Sequence, residues 1–98
     1  MARAFYSEYV NHCLRFYARH QNPKFKSEAD KKNWECTDKV IQSFSEDEQA
    51  MILEIYMDNE TVPNKVYELA QTKNVKQDTI WKLINDVERK VAKRRGLL

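Results

Sequence analysis

Between Leu69 and Ile80 the chain ends one helical pattern and opens another, using neither glycine nor proline to do so. The stretch reads "YELAQTKNVKQDTIWKLI" at positions 67–84. In one continuous helix, apolar residues would keep returning every three or four positions. Here they return at Val66, Leu69 and Ala70, pause, and resume at Ile80, Leu83, Ile84, Val87 and Val91. Two helices joined so tightly must cross steeply, which demands a small residue near the crossing and a left-handed residue in the turn. Ala70 meets the first demand. Asn74, four positions on, meets the second, because asparagine tolerates that backbone conformation best after glycine. Val75 then fills the space between the helices, and Ile80 and Leu83 anchor the second one. The spacing predicts a helix-turn-helix in which Leu69, Val75, Ile80, Leu83 and Val87 share a core with Leu53 and Ile55. An ordinary helical hairpin with accidental spacing is the plainer alternative.

The rest of the chain reads as helical too. One Gly and two Pro in 98 residues leave little turn material for a many-stranded β fold. A first helix is expected over 2–20, where Phe5, Tyr6, Tyr9, Val10, Cys13, Leu14 and Tyr17 form one apolar stripe. This aromatic stripe is read as core. "QNPKFK" breaks it at Pro23. A second helix opens at Ser27, an N-cap, with Glu28 and Asp30 in its first turn and Trp34, Val40, Ile41 and Phe44 as its apolar positions. A third opens at "SEDE", where Ser45 and Glu48 make a capping box. It is apolar over much of its circumference and is expected to be the most buried helix. A fourth covers about 63–72 after "MDNETVP", with Pro63 in its first turn, and a fifth about 76–94. The expectation is an all-α fold of about five helices in one domain, 1–98. Its N-terminal helical part is 1–44 and its helix-turn-helix part 45–95.

Composition narrows the function classes. No apolar run reaches membrane-spanning length and "MARAFYSEYV" lacks a secretory h-region, so a cytoplasmic protein is expected. Cys13 and Cys36 read as reduced, small apolar residues. With His12 and His20 they match the tally of a zinc site, but no Cys-x-x-Cys pair and no closely spaced His pair supports one. No metal or cofactor is expected. A single glycine gives no phosphate-cradling loop, and neither His has a plausible Ser or Cys and acid arrangement, so an enzyme is not expected.

Charge is divided along the chain. Residues 1–26 carry net +4, 27–61 net −7 and 62–98 net +5, within a total of +2. Placed on a helical wheel, the fifth helix turns Ile80, Leu83, Ile84, Val87 and Val91 to one side. Asp78, Lys82, Asn85, Arg89 and Lys93 fall opposite, with Lys76 and Gln77 at the N-terminal tip. Trp81 lies on the flank and is read as closing the edge of the core. Such a helix fits a major groove, Gln and Asn reading base edges and Lys and Arg reaching bases or phosphates. Arg89, Lys90, Lys93, Arg94 and Arg95 follow with no acid after Glu88, a density that phosphate binding explains. A solvated helix end favoured by its dipole would also be basic. The candidate DNA-binding residues are Lys76, Gln77, Asp78, Lys82, Asn85, Arg89, Lys93, Arg94 and Arg95. Asp78 either accepts from a cytosine amino group or simply favours the helix start.

Residues 45–95 resemble region 4 of the sigma-70 family. The shared layout is an acidic-capped helix rich in Leu and Ile, a Tyr near its end, a Leu-Ala pair, a turn, then Thr79-Ile80 and a basic finish. Two positions depart from the pattern: Lys76 stands where Ser usually opens the recognition helix, and Asn74 where Gly is usual in the turn. The resemblance implies a sequence-specific transcription regulator of the small phage type, whose partners are double-stranded DNA and RNA polymerase. It would lack the promoter-melting part of a full sigma factor. The alternatives are a DNA-packaging factor of the small-terminase type and a protein-interaction module with no DNA role. Oligomeric state is left open, a homodimer included.

Overall fold

The computed structural model describes residues 6–20, 24–57 and 60–97. They form five α-helices: α1 Ser7–Arg19, α2 Glu28–Gln42, α3 Glu46–Met57, α4 Val62–Thr72 and α5 Gln77–Arg94. No strand occurs among the described residues. The expected stretch before Tyr6, and the break at Asn22 and Pro23, lie outside them.

The helix starts follow from short polar side chains. Ser27 Oγ accepts from the Asp30 N–H at 3.2 Å and opens α2. Ser45 Oγ accepts from the Glu48 N–H at 3.2 Å while Glu48 Oε1 accepts from the Ser45 N–H at 3.1 Å, a reciprocal capping box for α3. Thr61 Oγ1 accepts from the Asn64 N–H at 3.4 Å ahead of α4, with Pro63 in its first turn. α5 starts at Lys76 with no side-chain cap, and Asp78 in its first turn is the only acid there. α5 is closed off by Gly96, whose φ of +80 lets the Leu97 N–H donate to the Ala92 carbonyl at 2.8 Å.

One core joins all five helices. Val10, Leu14 and Tyr17 of α1 meet Val40 and Ile41 of α2, Ile52, Ile55 and Tyr56 of α3, Val62, Val66 and Leu69 of α4, and Ile80, Ile84, Val87 and Val91 of α5. Residues 1–44 and 45–95 are therefore interlocked: α1 packs on both α3 and α5. Arg15 Nη2 donates to the Glu60 carbonyl at 2.9 Å and Arg19 Nε to that of Met57 at 3.2 Å, so α1 also satisfies backbone acceptors at the end of α3 and ahead of α4. α2 is tied to α1 by Tyr17, whose hydroxyl donates to Asp38 Oδ1 at 2.6 Å, and by Trp34 Nε1, which donates to the His20 carbonyl at 2.8 Å. Burial and the Asp38 carboxylate hold the Tyr17 phenol protonated well above its ordinary range.

The central helix is α5, not α3. α5 touches each of the other four and buries Ile80, Ile84, Val87, Glu88, Val91 and Ala92. α3 buries only Ile52, Ile55 and Tyr56, leaving Ala50 and Met57 exposed and Met51 and Leu53 half-buried. Its apolar residues run round the whole circumference, but α1, α4 and α5 cover only part of it. Of the expected core set, Leu69, Ile80, Val87 and Ile55 are fully covered, whereas Val75, Leu83 and Leu53 pack at its edge.

Candidate nucleic-acid interface

The α4–α5 junction carries the geometry that the spacing implied. Asn74 adopts φ 53, the one positive φ among the described non-glycine residues. The Val75 N–H donates to the Ala70 carbonyl at 3.1 Å, and the Lys73 N–H to that of Leu69 at 2.9 Å. This is a Schellman-type ending in which Asn74 occupies the left-handed position and Ala70 and Val75 both lie against the core. Lys73 Nζ reaches Glu54 Oε2 at 3.5 Å, linking the turn to α3 across the surface. The buried anchor of α5 beyond Ile80 is Ile84 rather than Leu83, which lies a helical step towards solvent.

With Ile80, Ile84, Val87 and Val91 turned inward, the opposite side of α5 is left uncovered. Lys76, Gln77, Asp78, Lys82, Asn85, Arg89, Lys93 and Arg94 are all exposed. Among the described residues, Lys82, Arg89, Lys93 and Arg94 have no ion-pair partner. From Lys82 to Lys93 the face runs for about 16 Å along the helix axis, at 1.5 Å per residue. Arg95 is placed elsewhere. It is half-buried, and its Nη2 donates to the Tyr9 hydroxyl at 3.2 Å, so it folds back on α1 instead of joining the row. Its backbone keeps helical geometry past Arg94, so four residues after Val91 and three after Ala92 it falls on their inward side.

Two residues of α5 that the wheel reading passed over alter the electrostatics. Asp86 is exposed between Lys82 and Arg89 and pairs with Lys90 at 3.5 Å. Lys90 in turn sits over the Phe44 ring, 4.6 Å from its centroid, which draws it to the flank. Asp86 also lines an open groove of about 510 Å³ with Asp47, Glu48, Met51, Thr79, Lys82 and Leu83. The face is therefore asymmetric. Its N-terminal half borders an acidic wall from the first turn of α3, and its C-terminal half is basic. The missed signal was positional: Asp86 lies one helical turn from Lys82, Arg89 and Lys90, and so shares their side of the helix.

Among the described residues, no group of three or more His, Cys, Asp or Glu side chains is arranged to hold a metal ion. No described helix is long and apolar enough to cross a membrane. Comparison with protein-family models, with curated proteins and with solved structures finds no match to this chain.

Proposed function

We propose that the protein is a sequence-specific DNA-binding transcription regulator, similar in its 45–95 part to sigma-70 region 4 and acting without a promoter-melting part. The observation that carries this reading is the tight α4–α5 turn together with the polar, mostly basic face it leaves uncovered on α5. In a docked helix of this kind the N-terminal half lies deepest in the groove. Lys76, Gln77, Lys82 and Asn85 then meet base edges, and Arg89, Lys93 and Arg94 meet phosphates. Arg95, held by Tyr9, has no direct part in this contact. RNA polymerase is the second partner in this reading.

A protein-interaction module with no DNA role is the second reading, and the acidic groove beside Leu83 favours it. One experiment separates the two. Bound duplexes are selected from a random library, and the winning sequence is compared with scrambled DNA at two salt concentrations. The DNA reading expects a consensus and affinity that falls steeply with salt. Failure to enrich any sequence, with no salt-dependent binding, would move the interaction module to first place.

A further inference from the structure

A polar cluster where α1, α2 and the end of α5 meet takes no part in the DNA reading. Cys13 on α1 is 2% exposed and Cys36 on α2 is half-buried, and both are free thiols. The packing of the two helices is pinned on either side of them. Tyr9, one turn before Cys13, donates its hydroxyl to Asn33 Oδ1 at 3.1 Å, and Asn33 lies three positions before Cys36. Tyr17, one turn after Cys13, donates to Asp38 Oδ1 at 2.6 Å, and Asp38 lies two positions after Cys36. The thiols thus lie between two hydrogen bonds that join α1 to α2.

Arg95 completes the cluster. Its Nη2 donates to the Tyr9 hydroxyl at 3.2 Å, and Tyr9 stands one helical turn before Cys13. Through Tyr9 the guanidinium is held at the α1 side of the thiol pair. Arg95 Nε is buried and has no acceptor among the described residues. A buried N–H without an acceptor is costly, and a thiolate would supply one.

We propose that Cys13 and Cys36 are a peroxide-oxidisable pair that closes to an intramolecular disulfide between α1 and α2. Cys36, the more accessible thiol, reacts first. As its thiolate it attacks one oxygen of a hydroperoxide and becomes a sulfenic acid. The O–O bond breaks, and the departing oxygen takes up a proton and leaves as water when the oxidant is hydrogen peroxide. Cys13 then attacks the Cys36 sulfur, the S–S bond forms, and the sulfenic hydroxyl leaves with the Cys13 proton as a second water. Two thiols are oxidised and one peroxide is reduced. Burial pushes the Cys13 thiol up, which suits it to wait for the sulfenic acid rather than meet the oxidant.

The test uses the full chain and hydrogen peroxide under native conditions. Both thiols should disappear together, the intact mass should fall by two hydrogens, and a non-reducing peptide map should join the Cys13 and Cys36 peptides. The product should stay at its original oligomeric state and melt higher by on the order of 10 °C, reversibly with dithiothreitol. Cys13→Ala should leave Cys36 as a sulfenic acid that a dimedone reagent traps. Arg95→Gln, with an unchanged circular dichroism spectrum, should slow the loss of Cys36 thiol several-fold. The proposal is overturned if the thiols survive peroxide that oxidises free cysteine, if they are lost independently, or if the bridge forms only between chains. An unchanged rate in Arg95→Gln would strike out the guanidinium's part.

Discussion

Truncating neighbours on α5 tests which residue anchors it. Ile84 is fully buried, 0% exposed, among the side chains of all five helices. Replacing it by Ala removes the transfer energy of the lost carbons and leaves an enclosed cavity, together about 2–5 kcal/mol. For a domain of this size each kcal/mol lowers Tm by roughly 4–8 °C, so Ile84→Ala should melt lower by about 8–40 °C. Leu83 is half-buried and borders the open groove with Met51, so the space it vacates joins solvent instead of a void. Half the value of a fully buried Leu leaves about 1 kcal/mol for Leu83→Ala. Urea unfolding followed by far-ultraviolet circular dichroism, with slopes compared between variants, measures both. If Leu83→Ala costs as much as Ile84→Ala, the orientation of α5 described above is wrong.

Three further outcomes follow from named contacts. Asn74→Ala should destabilise by roughly 1 kcal/mol in the same urea assay, since alanine lacks the tolerance for φ 53, while Asn74→Gly should be near neutral. In equilibrium DNA-binding assays, Asn85→Ala or Gln77→Ala should weaken the selected site by roughly 1–3 kcal/mol and spare scrambled DNA, whereas Lys93→Ala should weaken both alike and make the salt slope shallower by about one unit. Alkali should destabilise the fold. The Cys13 thiol and Tyr17 phenol are both held up in the native state, so the unfolded chain loses these protons first. Their contribution is intact at neutral pH and is lost as pH rises from about 8.5 for the thiol and about 10 for the phenol; Tyr17→Phe should flatten the upper part of the urea-midpoint profile.

What was legible in the sequence was local. The Ser27 cap, the Ser45–Glu48 box and the left-handed Asn74 each depend on residues three or four positions apart, and all three are present. What was not legible depended on distant partners. Glu88 reads as one more charge near a basic tail, yet it is 2% exposed and accepts from Ser7 Oγ at 3.1 Å and from the Tyr56 hydroxyl at 3.4 Å. Those partners lie 81 and 32 positions away, beyond any periodicity argument. Arg95 differs: it follows the basic row in sequence, but four residues after Val91 and three after Ala92 the helical register alone brings it round to their inward side, where it meets Tyr9. The high apolar content of α3 misled for a related reason: hydrophobicity tells how much surface a helix offers, and the neighbours decide how much is covered.

Asp86 gives the sharpest choice between the two functional readings, because its removal changes binding in opposite directions. It stands on the exposed side of α5, faces the Asp47–Glu48 wall across the groove, and holds Lys90 at 3.5 Å. Next to a duplex this carboxylate repels phosphate and occupies a lysine that would otherwise be available to it. Asp86→Asn removes the repulsion and leaves Lys90 with the Phe44 ring alone. Affinity for scrambled and selected DNA should both rise, and the salt slope should steepen by up to about one unit as one more phosphate is neutralised. The pair itself is exposed at both ends, so its loss costs little stability, within about 1 kcal/mol. If the groove instead receives a basic segment of a protein partner, the same change removes an attractive charge and weakens that complex. A DNA affinity that falls or stays level in Asp86→Asn, with the fold intact, would count against docking by this face of α5.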